Sequence, residues 1–149
     1  MIMPKFNPKQ IQIYAQTLQD VLENAENAAE RVAPYFTKLR DAIDANTVAD
    51  MPAAEFAEIK SEFDDAVAVY ADNAAKLAAA QAPIRAIGVH KSLTANYQAY
   101  FEATKAMADA VKIDGQSVDM VPFEKSEDDQ EVLSGKINTN VTKLLMSLR

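Results

Sequence analysis

Apolar positions along most of this chain recur with the period of a helix. Ile11, Leu18, Ala25, Val32 and Leu39 stand seven residues apart, and Tyr14, Val21, Ala28, Tyr35 and Ala42 form a second row beside them. A third row, Leu22, Ala29, Phe36 and Ile43, widens the stripe beyond the two-row seam of a coiled coil. Asn7-Pro8 supplies the start: Asn is a good N-cap, Pro fits the first helical position, and Gln10 falls where a capping-box partner sits. Pro34 interrupts the pattern, removing a backbone hydrogen bond and crowding the carbonyl of Glu30. The rows keep phase across it, which a loop of arbitrary length would not do, so the pattern predicts one helix over about residues 8–46, kinked at Pro34.

Residues 46–52 read as a connection. A second helix starts near Pro52, with Glu55 and Glu58 favourably placed at its positive end. Its main row is Phe56, Phe63, Tyr70, Leu77 and Ile84, flanked by Ile59, Ala66, Val67 and Ala74. Ala71, Ala74, Ala75, Ala78 and Ala82 add small residues at helical spacing, either for close approach of another backbone or simply as good helix formers on a partly exposed face. The helix ends near Pro83 or at a Gly88 cap, and residues 83–90 fit either a kink or a turn. A third helix runs from His90 or Ser92 to Ile113 behind Leu93, Tyr97, Tyr100, Phe101, Met107, Ala108 and Val111, and Asp114-Gly115 stops it. Residues 115–126 are the least regular. Ser126 followed by Glu127, Asp128 and Asp129 marks a fourth helix start, with Leu133, Ile137, Val141, Leu144, Leu145 and Leu148 inward. The expected fold is all-α: a single domain over residues 1–149, an antiparallel bundle of four helices, two long and two shorter.

Composition sharpens this picture. Three Gly and six Pro in 149 residues give too little turn chemistry for a β-sandwich or barrel, and 27 Ala favour helix. No stretch is apolar for long enough to span a membrane, and Met1-Ile2-Met3-Pro4-Lys5-Phe6 lacks the uninterrupted apolar core of a signal peptide, so the cytoplasm is the expected compartment. The absence of Cys excludes disulfides, thiol catalysis and thiolate metal sites. A net charge of −7 argues against nucleic acid and anionic membrane surfaces as partners.

Chemistry finds few footholds. A di-metal carboxylate bundle needs Glu-x-x-His on two helices, but the single His90 has Ile87 three positions before it. Haem could use His90 alone, yet a lone histidine at a helix end is more often structural or exposed. No Ser lies in a nucleophile elbow, no Gly-rich phosphate loop occurs, and Glu127–Glu131 lacks the spacing of a calcium loop. Glu58, Glu62 and Asp65 share a helical face that reads as solvated surface. Gly88-Val89 between helical runs resembles a helix-turn-helix turn only weakly: Pro83 interrupts the first helix, and the next offers few cations. The C-terminal helix has an apolar stripe better packed into a bundle than laid on lipid.

These exclusions leave a non-catalytic helical protein, with no cofactor, acting through a protein partner or through self-association. An apolar-ligand-binding bundle and an immunity- or antitoxin-like neutralising protein are the alternatives. Val118, Met120, Val121 and Phe123 are the candidate docking residues, unless their segment instead straps one end of the bundle.

Overall fold

The computed structural model describes residues 8–148. The N-cap expected at Asn7 and the segment read for a signal peptide lie outside them. Helix α1 spans Pro8–Asp44 and runs unbroken through Pro34, as the conserved phase of its rows requires. Two of those rows bury Tyr14, Leu18, Val21, Ala28, Leu39 and Ala42, while the third, Leu22, Ala29, Phe36 and Ile43, stays half-buried or exposed. A 3-10 turn, Val48–Asp50, leads into α2, Ala53–Ala79, whose row Phe56, Phe63, Tyr70 and Leu77 is buried. Ile84 does not extend that row. The chain leaves α2 at Ala79, and Ile84, 75% exposed, belongs to a 3-10 turn, Ile84–Ala86.

Residues 83–90 therefore make a turn rather than a kink: Pro83 is extended (φ −58°, ψ 150°) and α3, Ile87–Ala110, follows directly. Gly88, expected as a cap, lies in the first turn of α3. After α3 comes a hairpin too short to show in the sequence pattern, β1 (Val111–Lys112) pairing antiparallel with β2 (Ser117–Val118). Gly115 closes it at φ 80°, a conformation that costs glycine nothing. The side-chain amide of Gln116 donates to the carbonyls of Val48 and Met51 at 2.9 and 2.8 Å, tying this hairpin to the α1–α2 connection.

The fourth helix, α4, spans Met120–Ser147 and is as long as α2. It starts six residues before Ser126, so the expectation of a short last helix is corrected. Pro122 is tolerated because it sits in the first turn, where its absent N–H has no helical partner to lose. Ser126 does not cap: it is buried and its hydroxyl donates to the Ala103 carbonyl of α3. Leu145, expected inward, is 51% exposed.

Cross-helix pairs fix the directions. Arg31–Glu62 and Tyr35–Glu58 make α1 and α2 antiparallel; Asn73–Tyr97 and Lys60–Ala108 do so for α2 and α3; Asn96–Asn140 and Met107–Gln130 for α3 and α4. Helices adjacent in sequence pack against each other, whereas the backbones of α1 and α4 stay apart over nearly their whole length. Phe36 stacked on Phe123 (6.2 Å) and Arg40 on Glu127 (2.9 Å) join those two at one end. The core accordingly divides into two clusters. One holds Tyr14, Leu18, Val21, Tyr70, Leu77, Leu93, Tyr97 and Leu144. The other holds Leu39, Phe56, Ile59, Phe63, Met107, Val111 and Phe123. No helix among the described residues is long and apolar enough to cross a membrane.

Candidate functional site

Between the two clusters lies a cavity of about 300 Å³. Its floor is buried: Phe63, Ala66 and Tyr70 of α2, with Thr104 and Met107 of α3. Its wall is α1, contributing Val32 and Phe36, with Ala29, Ala33 and Thr37 at an exposed rim; Gln130 of α4 faces them. The cause is local. At this level α1 presents Ala29 and Ala33, α2 presents Ala66, and α4 stands off from α1, so no large side chain fills the space. Interiors are otherwise packed with few voids larger than a water molecule. The third row of α1, which looked like mere breadth of stripe, supplies two of the lining residues, Ala29 and Phe36.

The lining contains no charged side chain, although the chain carries −7 overall. Aromatic groups dominate its ends. Phe36 stacks on Phe63 (6.5 Å, 21° between planes), and Tyr70 meets Tyr100 edge to face (5.4 Å, 82°). Burial and its hydrogen-bonded neighbour Tyr100 push the Tyr70 hydroxyl well above its ordinary range, so it remains a neutral phenol. The hydroxyl of Thr104 donates to the Phe101 carbonyl (2.8 Å). The amide N–H group of Gln130 donates to Ser126 Oγ (2.9 Å) and reaches Met107 Sδ (3.6 Å).

Two buried polar networks brace the helices around this space. Asn73 is completely buried; its amide donates to the Val21 carbonyl (3.1 Å) and to Tyr97 Oη (2.9 Å), linking α1, α2 and α3. Nearer the α2–α3 turn, His90 Nδ1 lies 2.6 Å from Tyr14 Oη. Thr94 donates its hydroxyl proton to the His90 carbonyl (2.9 Å), which leaves its oxygen to accept from His90 Nε2–H (3.3 Å). Nδ1 is then the acceptor for the Tyr14 hydroxyl. Burial lowers the His90 pKa below the ordinary histidine value and pushes Tyr14 up to about 12, so both groups hold the protonation states this pair needs. His90 is thus a structural histidine, the reading that a lone histidine invites.

The carboxylates of α2 divide. Glu62 is buried and accepts from Arg31 at 2.8 and 3.3 Å, Glu58 accepts from Tyr35 Oη at 3.0 Å, and Asp65 remains exposed, 3.7 Å from Arg31. Solvated surface therefore describes Asp65 and Glu58 but not Glu62. Among the described residues, no three His, Cys, Asp or Glu side chains converge as metal ligands would.

The four docking candidates do not form one exposed face. Phe123 is fully enclosed in the second core cluster, and Val118 and Met120 pack half-buried against that cluster. Val121 alone of the four is open to solvent, at 81%. The expectation that Phe123 is available to a partner is corrected by its stacking on Phe36. The cavity itself escaped sequence reasoning, because its position depends on which helices stand apart. No family model, no curated protein and no solved structure matches this chain.

Proposed function

We propose that this chain is a non-catalytic binding protein that houses a small, neutral, largely apolar molecule in the cavity between α1, α2 and α3. The observation that supports this reading is an uncharged, aromatic-rich space of about 300 Å³ separating the two halves of the core. That volume falls at the lower end of ligand pockets, about 300–1,000 Å³. A ligand that binds the native state raises its stability by RT ln(1 + [L]/Kd), about 2.7 kcal/mol at a hundredfold excess over Kd. Melting curves across a library of uncharged compounds test the reading. A concentration-dependent rise lost in Ala66→Leu, which fills the floor, is the expected result; no shift with any compound overturns it.

Action through a protein partner or through self-association draws on another observation. Ile84 and Met146 are 75% and 64% exposed, at the end of the bundle where the α2–α3 turn meets the last turns of α4. Light scattering over a wide concentration range checks self-association; a monomer throughout leaves a heterologous partner as the form this reading takes.

A further inference from the structure

We infer that the guest of the central cavity is a neutral two-ring aromatic compound carrying one N–H or O–H donor, an indole-like or naphthol-like molecule; this rests on the ligand-binding reading above. Size gives the first argument. An apolar cavity of about 150 Å³ holds a benzene ring, so about 300 Å³ has room for two fused rings. Charge gives the second: with no charged residue in the lining, an ionised guest would lose its hydration without a counter-charge. The walls give the third. Phe36, Phe63, Tyr70 and Tyr100 offer ring faces and edges, and Met107 a thioether, which attract an aromatic guest beyond its buried area and an aliphatic chain only in proportion to it.

Hydrogen bonding supplies the last argument. On the α3 and α4 side of the lining the protein donors are engaged, the Gln130 amide N–H with Ser126 and Met107 and the Thr104 hydroxyl with Phe101; the Thr37 hydroxyl stands at the exposed rim, and the Tyr70–Tyr100 pair lies at the other end of the space. On that side acceptors are in surplus. The Gln130 carbonyl oxygen has no protein donor among the described residues, and the Thr104 oxygen keeps a lone pair. A guest lying against Thr104 and Gln130 therefore pairs with them by bringing a donor.

The chain contains no Trp, so the emission of added indole reports its own surroundings. Titrating the full chain with indole is expected to give a saturable blue shift. N-methylindole, which lacks the donor, binds about tenfold more weakly, the factor of one hydrogen bond. Indole-3-acetate at neutral pH is at least as disfavoured, and 1-octanol displaces indole poorly. Gln130→Leu brings indole down to the level of N-methylindole while leaving N-methylindole unchanged, which also shows that the variant is folded. Equal affinity for indole and N-methylindole on the native protein overturns the donor requirement, and efficient displacement by 1-octanol overturns the aromatic class; either leaves the cavity as a binding site. Failure of every probe to bind overturns the ligand reading itself.

Discussion

Replacing Ala66 by Leu asks whether the space between the core clusters is real. Ala66 is buried on the floor of the cavity, and Leu adds three carbons there. At about 0.8 kcal/mol per buried methylene, full burial is worth about 2.4 kcal/mol. Ordering a Leu side chain costs about 0.5–1 kcal/mol, and helix propensity changes little between Ala and Leu. The rim at Ala29, Ala33 and Thr37 is open, so burial is incomplete and a net gain of about 1 kcal/mol is expected. For a domain of this size that raises Tm by about 2–4 °C. The sign carries the test, because the same insertion into a close-packed core costs about 1–3 kcal/mol. Urea titrations followed by circular dichroism at 222 nm give both the midpoint and the slope. A higher midpoint at unchanged slope is expected; a lower midpoint would mean that the helices close over this space, and the reasoning about the cavity falls with it.

Further outcomes follow from the buried polar pairs and the helix interiors. Asn73→Leu removes the buried donor to the Tyr97 hydroxyl and the second donor to the Val21 carbonyl, which keeps its helical N–H, and is expected to cost about 1–3 kcal/mol in urea titrations; a neutral result would mean water reaches the Tyr97 hydroxyl. His90 is held neutral by burial, its pKa below the usual 6.5. Between that lowered value and 6.5 the unfolded chain binds more protons, so this contribution is complete above pH 6.5 and is lost as pH falls through the folded value. The difference between native and His90→Asn midpoints should therefore shrink on acidification, and a constant difference from pH 8 to pH 5 contradicts the assignment. Gly135 lies inside α4 with nothing within 4 Å of an added Cβ, so Gly135→Ala should gain about 1 kcal/mol; a loss on melting would reveal a neighbour close to that face. Pro34 is exposed inside α1, and Pro34→Ala restores a helical N–H, with an expected gain of up to about 3 kcal/mol. Destabilisation there would show that the packing around α1 depends on Pro34 itself.

What the residues revealed on their own followed the strength of their period. The heptad rows of α1 located a helix of 37 residues and carried it through Pro34, because phase is preserved only along a continuous helix. The start of α4 was misplaced for a physical reason: Ser126 and the acids after it have the chemistry of a helix N-terminus, but the Ser126 hydroxyl serves the carbonyl of Ala103 on a neighbouring helix, a use no local pattern reveals. The hairpin has two residues per strand, too few for an alternating signal, and Asp114-Gly115 reads in the sequence only as a helix stop. The cavity was half legible. Ala29 and Phe36 belong to a row already visible along α1, but whether that row meets a helix or a gap depends on how far α4 stands away, and that distance belongs to tertiary packing.

The separation of α1 from α4 has a consequence for how the chain finds its fold. Nearly all helix packing here joins neighbours along the sequence, α1 with α2, α2 with α3 and α3 with α4, so each step closes only a short loop and assembly can proceed hairpin by hairpin on the fast timescale of local topologies. The pairs Phe36–Phe123 and Arg40–Glu127, 87 residues apart in each case, require the intervening helices to be in place before they can form. The bundle thus behaves as two helical hairpins, α1–α2 and α3–α4, latched across their outer helices at one end, and sub-global opening of the native state starts on the thinly fastened α1–α4 side while the closely packed α3–α4 pair holds together.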